Sequence, residues 1–399
     1  MACNIGANDV ANAMGTSVGS KSLTLGQAVM VAAVAEFAGA FLVGGHVSQT
    51  IRKGMIDPTL FSDVPLHLVY GMIASLLAAA IWLNISSYLG WPVSTTHSIV
   101  GAVVGFGIVA VGMDGVSWDK IGKIVLSWIV SPLMGALFSF LIFRTITKLI
   151  FDKNYPHLHV KRFLPHIVFV LFVILSNSML YKGLTNLHLN LDFSQALVIS
   201  LAVGFIGFYF ARRLADRISE VPKENLHQQL LSTEQVFKYL QMFTAFYIAF
   251  AHGANDVANA VGPMAAVVAI LNDGSVEIKV EMPLWILAMG GAGIVFGLLV
   301  WGRKVMQTVG EKITEITPSR GFAATFGAAT VVLICSKMGL PISTTHTLVG
   351  SVIGVGLARG LPTLNLGIIK MIIMSWFLTV PFTMVISAVI FKIFLFFLP

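Results

Sequence analysis

One ten-residue string occurs twice in this chain with a single difference. Gly6-Ala-Asn-Asp-Val-Ala-Asn-Ala-Met-Gly15 returns as Gly253-Ala-Asn-Asp-Val-Ala-Asn-Ala-Val-Gly262. Pro92-Val-Ser-Thr-Thr-His97 returns as Pro341-Ile-Ser-Thr-Thr-His346, and Ser127-Trp128 with Pro132 returns as Ser375-Trp376 with Pro381. The motifs keep their order, and their offsets agree to within one or two residues. A chain built this way folds as two copies of one module. Everything else about the fold has to be compatible with that duplication.

Composition states what kind of module it is. Hydrophobic residues are 56% of the 399 and charged residues 11%, against about 25% charged in a soluble domain. Such a chain cannot cover its surface in water, which excludes a soluble enzyme, a secreted disulfide scaffold and a disordered protein. Long apolar runs, rather than alternating ten-residue strands, indicate helices in a bilayer. The formal charge of +7 collects in particular loops and reads as membrane topology rather than nucleic-acid binding. Cys3 and Cys335 have neither metal nor redox spacing and read as apolar filler. The beginning of the chain shows no basic segment followed by an apolar run, so no cleaved signal is expected.

The fold class is therefore an all-α membrane protein with about twelve transmembrane or re-entrant segments. They are placed near residues 5–18, 25–47, 68–89, 97–113, 121–143, 164–180, 196–211, 236–262, 284–301, 322–338, 346–357 and 368–398. The last is long enough to tilt, or to bend at Pro381. The first repeat is expected over residues 1–150, connecting helices and a polar linker over 151–235, and the second repeat over 236–399. Basic residues put three loops on the cytoplasmic side: the one with Arg144, Lys148, Lys153, Lys161 and Arg162, the linker with Arg212, Arg213, Arg217 and Lys223, and the one with Arg303, Lys304, Lys312 and Arg320. The intervening loops carry only Lys182, or Lys279 among Asp273, Glu277 and Glu281. Both termini then lie outside. Seven segments separate the starts of the two copies, and an odd number inverts the second copy, a plan common to secondary transporters.

The repeated motifs carry the chemistry. Asn8 and Asn12 are four residues apart and Asp9 and Asn12 three, so a helix brings them together, as it does Asn255, Asp256 and Asn259. A carboxylate in a bilayer is costly and marks function more readily than packing when it sits in a polar cluster that occurs twice. Pro-x-Ser-Thr-Thr after an apolar run reads as a helix break followed by a new start, with proline tolerated in a first turn and Ser or Thr as N-cap. Free N–H groups, a positive dipole end and hydroxyls make such a break an anion site without a basic side chain. The alternative is a kink with Ser and Thr bonded back to the backbone. Each short arm after a break suggests a re-entrant hairpin, one from each side of the membrane. No Lys or Arg lies in the motifs, so an anion there would meet Asp9 and Asp256 without a fixed cation. A co-bound cation repairs this, and Asp, Asn and Thr oxygens suit Na⁺. His97 and His346 read as packing or supporting hydrogen bonds ahead of a proton relay. For Glu36, cation binding and local pairing stand equal.

At these residues the chain resembles the inorganic phosphate transporter family, the PiT family, and the resemblance covers nearly its whole length. It implies cation-coupled uptake of inorganic phosphate, inverted repeats, a site built from both copies and a homodimer. Phosphate ligands carried across are Asp9, Asn12, Ser94, Thr95, Thr96, Asp256, Asn259, Ser343, Thr344 and Thr345. For Na⁺ they are Asn8, Asp9, Thr96, Asn255, Asp256 and Thr345. The first copy has five residues before Gly6 where the second has the apolar run 236–251, so the outer half of its first helix looks absent. The linker is also short, without the large cytoplasmic domain of some relatives.

The expected function is a secondary transporter of the cell membrane that imports phosphate by symport, with Na⁺ as coupling ion and no other cofactor. It is not expected to be an enzyme. A proton-coupled phosphate or sulfate permease is the alternative within the class. Phosphate can donate a hydrogen bond to Asp9 or Asp256 at neutral pH and sulfate cannot, which favours phosphate. Two intramembrane aspartates also raise an aspartic protease, but each Asp reads as part of an identical Asn-rich helix start, beside Ser/Thr-rich breaks that hydrolysis does not need. A channel would show flux without cation dependence.

Overall fold

The computed structural model describes residues 1–45, 47–48, 55–89, 91, 93–181, 191–216, 225–274, 276, 282–302, 316–360 and 366–398. Its helices are α1 (Ala2–Gly19), α2 (Leu25–Val43), α3 (Pro65–Leu89), α4 (Thr95–Val111), α5 (Trp118–Ile146), α6 (Pro156–Leu180), α7 (Phe193–Asp216), α8 (Leu226–Asp273), α9 (Leu284–Gly297), α10 (Pro318–Lys337), α11 (Thr344–Arg359) and α12 (Leu366–Phe397). Each coincides with one of the apolar runs in the sequence. Among the described residues, 9 are long and apolar enough to cross a membrane. The short arms α4 and α11, of 17 and 16 residues, are not among them.

Local chemistry fixes the ends. Thr24 and Gln27 form a reciprocal capping box at the start of α2. Gly274, in the left-handed region with φ 65°, closes α8. Two details depart from the sequence reading. The Gly253-Ala-Asn-Asp motif lies in mid-helix, because α8 runs unbroken for 48 residues through it. Asp256 therefore does not sit at a helix start. Pro341 lies outside α11 rather than in its first turn: Ser343 is the N-cap and Thr344 the first helical residue. α12 continues through Pro381 as one helix.

Several of the main helix pairs recur when α1 is exchanged with α8, α2 with α9, α3 with α10, α4 with α11, and α5 with α12. Thus α1 packs on α9 as α8 packs on α2, α5 on α11 as α12 on α4, and α5 on α10 as α12 on α3. Glycines hold these crossings close. A Cβ on Gly6 would lie 1.9 Å from the Ile294 carbonyl oxygen, and one on Gly253 2.2 Å from that of Glu36. The leading glycine of each signature is thus demanded by backbone contact with a helix of the other copy. α8 and α10 form the centre, with 78% and 83% of their apolar cores enclosed, whereas α6 and α7 pack chiefly on each other at the periphery, with 17% and 22%.

Several topology markers lie outside the described residues: Lys182, Arg217, Lys223, Lys279, Glu277, Glu281, Arg303, Lys304 and Lys312. So do Pro92 and the side chains of Asn12 and Asp273.

Candidate functional site

α1 and α8 cross at the centre and bring the two signature aspartates together. Asp9 and Asp256 are both buried, as are Asn8, Asn255 and Asn259. Each aspartate is engaged by the break of its own repeat. Ser94 and Ser343 cap α4 and α11 by accepting from the N–H of His97 (3.2 Å) and His346 (3.1 Å). That cap turns the next hydroxyl inward. Thr95 Oγ1 donates to Asp9 Oδ2, and Thr344 Oγ1 to Asp256 Oδ2, both at 2.7 Å. The duplication in sequence is here a duplication of geometry.

Other bonds cross between the copies. Asn259 Nδ2 donates to Thr95 Oγ1 (3.2 Å) and Thr96 Oγ1 (3.1 Å). Thr96 Oγ1 donates to the Ile342 carbonyl (2.9 Å), and Trp128 Nε1 to that of Pro341 (3.2 Å). Asn255 Nδ2 ties the second break to its own long arm through Ser336 Oγ (2.9 Å). His97 and His346 meet edge to face, with centroids 4.3 Å apart. His97 stacks on Trp128 and His346 on Trp376, at 3.7 and 3.4 Å. This stacking is the packing role expected for the two histidines.

Sequence reasoning passed over His252. It precedes Gly253, and the matching position before Gly6 is Ile5, so a search for repeated residues discards it. It is nonetheless the hub of the site. Nδ1 lies 2.8 Å from Glu36 Oε2, and Nε2 lies 2.8 Å from Asp256 Oδ2 and 4.0 Å from Asp9 Oδ2. The first contact is a hydrogen bond. The second is a close ion-pair approach, off the line of a hydrogen bond. Glu36, fully buried on α2, therefore pairs locally. Asp9, His252 and Asp256 together present ligand atoms within 4.8 Å of one another, an arrangement able to hold a metal ion.

The donor–acceptor balance shows what the centre can bind. Asp9 Oδ1, Asp256 Oδ1, Asn255 Oδ1 and Asn259 Oδ1 are buried without a hydrogen-bond partner among the described residues. Buried orphan acceptors are rare and call for an explanation. A set of carboxylate and amide oxygens is a hard-cation ligand set. Unpartnered nitrogens lie there too: Asn8 Nδ2, Trp376 Nε1 and ring nitrogens of His97, His252 and His346. A cavity of about 10 Å³ lined by Asp9, Ala13, His252, Thr344 and Thr345 opens into the cluster. That is room for about one water.

A duplicated helical bundle with buried ionisable groups converging between its copies defines a multi-pass membrane transport protein. The chain belongs to the phosphate transporter family, whose pattern it matches over residues 5–387. It is 48% identical over 393 residues to a predicted phosphate permease of Pyrococcus abyssi, covering 98% of this chain and 95% of that one. It is 44% identical to the chloroplast inorganic phosphate transporter 2-1 of Arabidopsis thaliana, covering 96% of this chain and 68% of the relative. Among solved structures it is similar to one described as the sodium-dependent phosphate transporter. The TM-score is 0.93 and the identity 42%, over 100% of this chain and 97% of that one. Membership makes the protein a permease rather than an enzyme.

Proposed function

We propose that this protein imports inorganic phosphate by Na⁺ symport through the centre shared by its two signature helices. The supporting observation is the meeting of unpartnered oxygens from Asp9, Asn255, Asp256 and Asn259 with the first-turn hydroxyls of two broken helices, Thr95 and Thr344. The oxygens suit Na⁺. The helix starts at Thr95 and Thr344 suit an anion held by hydroxyls and backbone N–H. Phosphate held there is bridged to the aspartates by the co-bound cation instead of being repelled by them. The name of the 42% identical solved structure, a sodium-dependent transporter, supports the same coupling.

In this reading residues 1–150 and 236–399 are repeats of inverted topology joined by 151–235. Both termini face outside the cell membrane, and the protein is a homodimer. A centre with room for about one water admits phosphate only after the copies part. The bonds that must yield are those between them: Thr96 to the Ile342 carbonyl, Trp128 to the Pro341 carbonyl, and Asn259 to Thr95 and Thr96. Freed from these partners, the Thr95 and Thr96 hydroxyls turn to the substrate, and Thr344 and Thr345 of the second break meet it from the other side. Asn12 joins on the α1 side in the same reading.

Purified protein in liposomes, given labelled phosphate with a Na⁺ gradient or a proton gradient imposed separately, tests the coupling. Uptake is expected to rise at least tenfold with inward Na⁺ and to respond weakly to protons alone. The reverse pattern assigns coupling to the proton, a second reading that the Glu36–His252–Asp256 chain specifically favours as a proton path. Uptake independent of either gradient returns the protein to a channel.

The two breaks can be tested separately. Thr95→Val and Thr344→Val each remove one hydrogen bond to a carboxylate, worth about 1.5–3 kcal/mol. Phosphate affinity at fixed Na⁺ should fall roughly ten- to a hundredfold in either variant, and further in the double variant. Thr→Ser at the same positions should restore it. Unchanged affinity in the double Val variant would remove the breaks from the anion site.

A further inference from the structure

The transport centre leaves a groove on the outer face of the bundle, between α5 and α10, without a role. Its volume is about 450 Å³. Leu126, Val130, Met134 and Phe138, spaced four residues apart, form one wall along α5, and Ile334 on α10 and Met338 just past its end belong to the other. One cationic group, Lys123, stands at its end. Trp118, exposed and held by its indole N–H to the Met113 carbonyl at 2.9 Å, begins the same helix. Such a Trp marks the level of the headgroups. Lys123 lies about 7 Å further in at 1.5 Å per residue, within reach of that level for a lysine side chain.

The dimensions restrict the occupant. From Lys123 to Phe138 the helix advances about 22 Å. Over that length the lining is almost wholly apolar, a long narrow surface of the kind an extended hydrocarbon chain covers. Among the described residues every ion pair belongs to His252, so Lys123 has no carboxylate partner. The nearest acid in sequence is Asp119, one turn earlier on the same helix. A lone cation near headgroup level at the end of a long apolar groove is complementary to an anionic phospholipid.

We infer that the α5–α10 groove binds one anionic phospholipid, its phosphate on Lys123 and one acyl chain along α5 towards Phe138. Its position gives the lipid a consequence. Leu340 lines the groove next to Pro341, whose carbonyl is held by Trp128. The chain therefore packs against the back of the second break and braces it. The inference stands on surface geometry alone and does not depend on the coupling ion.

Native mass spectrometry of the full-length protein, titrated with palmitoyl-oleoyl phosphatidylglycerol or the matching phosphatidylcholine, tests this. The wild type should retain one phosphatidylglycerol more tightly than the rest. Lys123→Gln should weaken that binding about fivefold, to the level of phosphatidylcholine on the wild type. Val130→Trp, which fills the slot, should abolish it together with any rise in Tm that the lipid gives. A phosphatidylglycerol with a mid-chain diazirine should label wild-type α5 and α10 near Met134 and Ile334, a readout that needs no variant. Equal retention in wild type and both variants, or label spread evenly over the outer helices, overturns the inference. So does a Val130→Trp protein that changes its oligomeric mass instead of its lipid count, since the groove would then be a contact between copies.

Discussion

Asp9→Asn and Asp256→Asn are each expected to abolish phosphate uptake, by at least about a hundredfold, while the protein still inserts and folds. Asparagine keeps the size of the side chain, and its carbonyl can still accept from Thr95 or Thr344, so the 2.7 Å contacts to the breaks survive. What goes is one carboxylate charge in a fully enclosed centre. A hydrogen bond or ligand contact to a charged group is worth about 1.5–3 kcal/mol, and a cation held by several such oxygens loses that contact in every step of the cycle. A factor of a hundred is about 2.7 kcal/mol. Stability is not expected to fall in parallel. Glu36, Asp9 and Asp256 all converge on His252, and removing one of three like groups eases their mutual repulsion. Uptake in liposomes, set beside thermal unfolding of the same preparations, checks both halves. Normal uptake in both variants would return the aspartates to helix packing.

Much of this centre was legible in the sequence because the chain states it twice. The Ser or Thr caps of the two breaks and the placing of both Asn-Asp motifs in the membrane interior follow from residues that recur at nearly one offset; the two Thr–Asp bonds were not foreseen. The helices too were readable, since apolar runs of bilayer length leave few choices. Departures arose where local rules met tertiary demands. Proline tolerance at a first turn placed Pro341 inside a helix. In the fold its carbonyl is needed outside, where it accepts from Trp128. The aspartate motif was read as a helix start, yet α8 passes straight through it, and Gly253 serves a crossing with Glu36.

His252 was hidden for the opposite reason. It occurs once, 216 residues from Glu36, with no counterpart in the other repeat to draw attention to it. Repeat logic finds what the two copies share and is blind to what distinguishes them. A transporter of two equivalent halves needs some difference between them to bind one substrate in one orientation. A histidine facing three acids, where the other copy has Ile5, is that difference at its strongest.

His252→Leu is accordingly expected to do what the aspartate variants do not: destabilise the protein as well as stop transport. Its ring is the common neighbour of Glu36, Asp256 and Asp9, at 2.8, 2.8 and 4.0 Å. Removing one partner of a buried ion pair leaves an uncompensated charge, at a cost of about 3–5 kcal/mol. Glu36→Leu alone leaves His252 with Asp256 still beside it, and should cost less. In the double variant the Glu36 charge and its lost partner disappear together. The two losses should then fall short of their sum by about 1–3 kcal/mol, the range of coupling for residues in direct contact. Unfolding of the four proteins in one lipid or detergent condition yields that term. Strict additivity would mean that His252 acts through Asp256 and Asp9 alone, and that Glu36 meets it only in passing. A positive coupling with uptake still absent in the double variant separates the two roles of the cluster. The Glu36–His252 pair then holds α2 against α8, and the Asp256 side of the ring carries the ion chemistry.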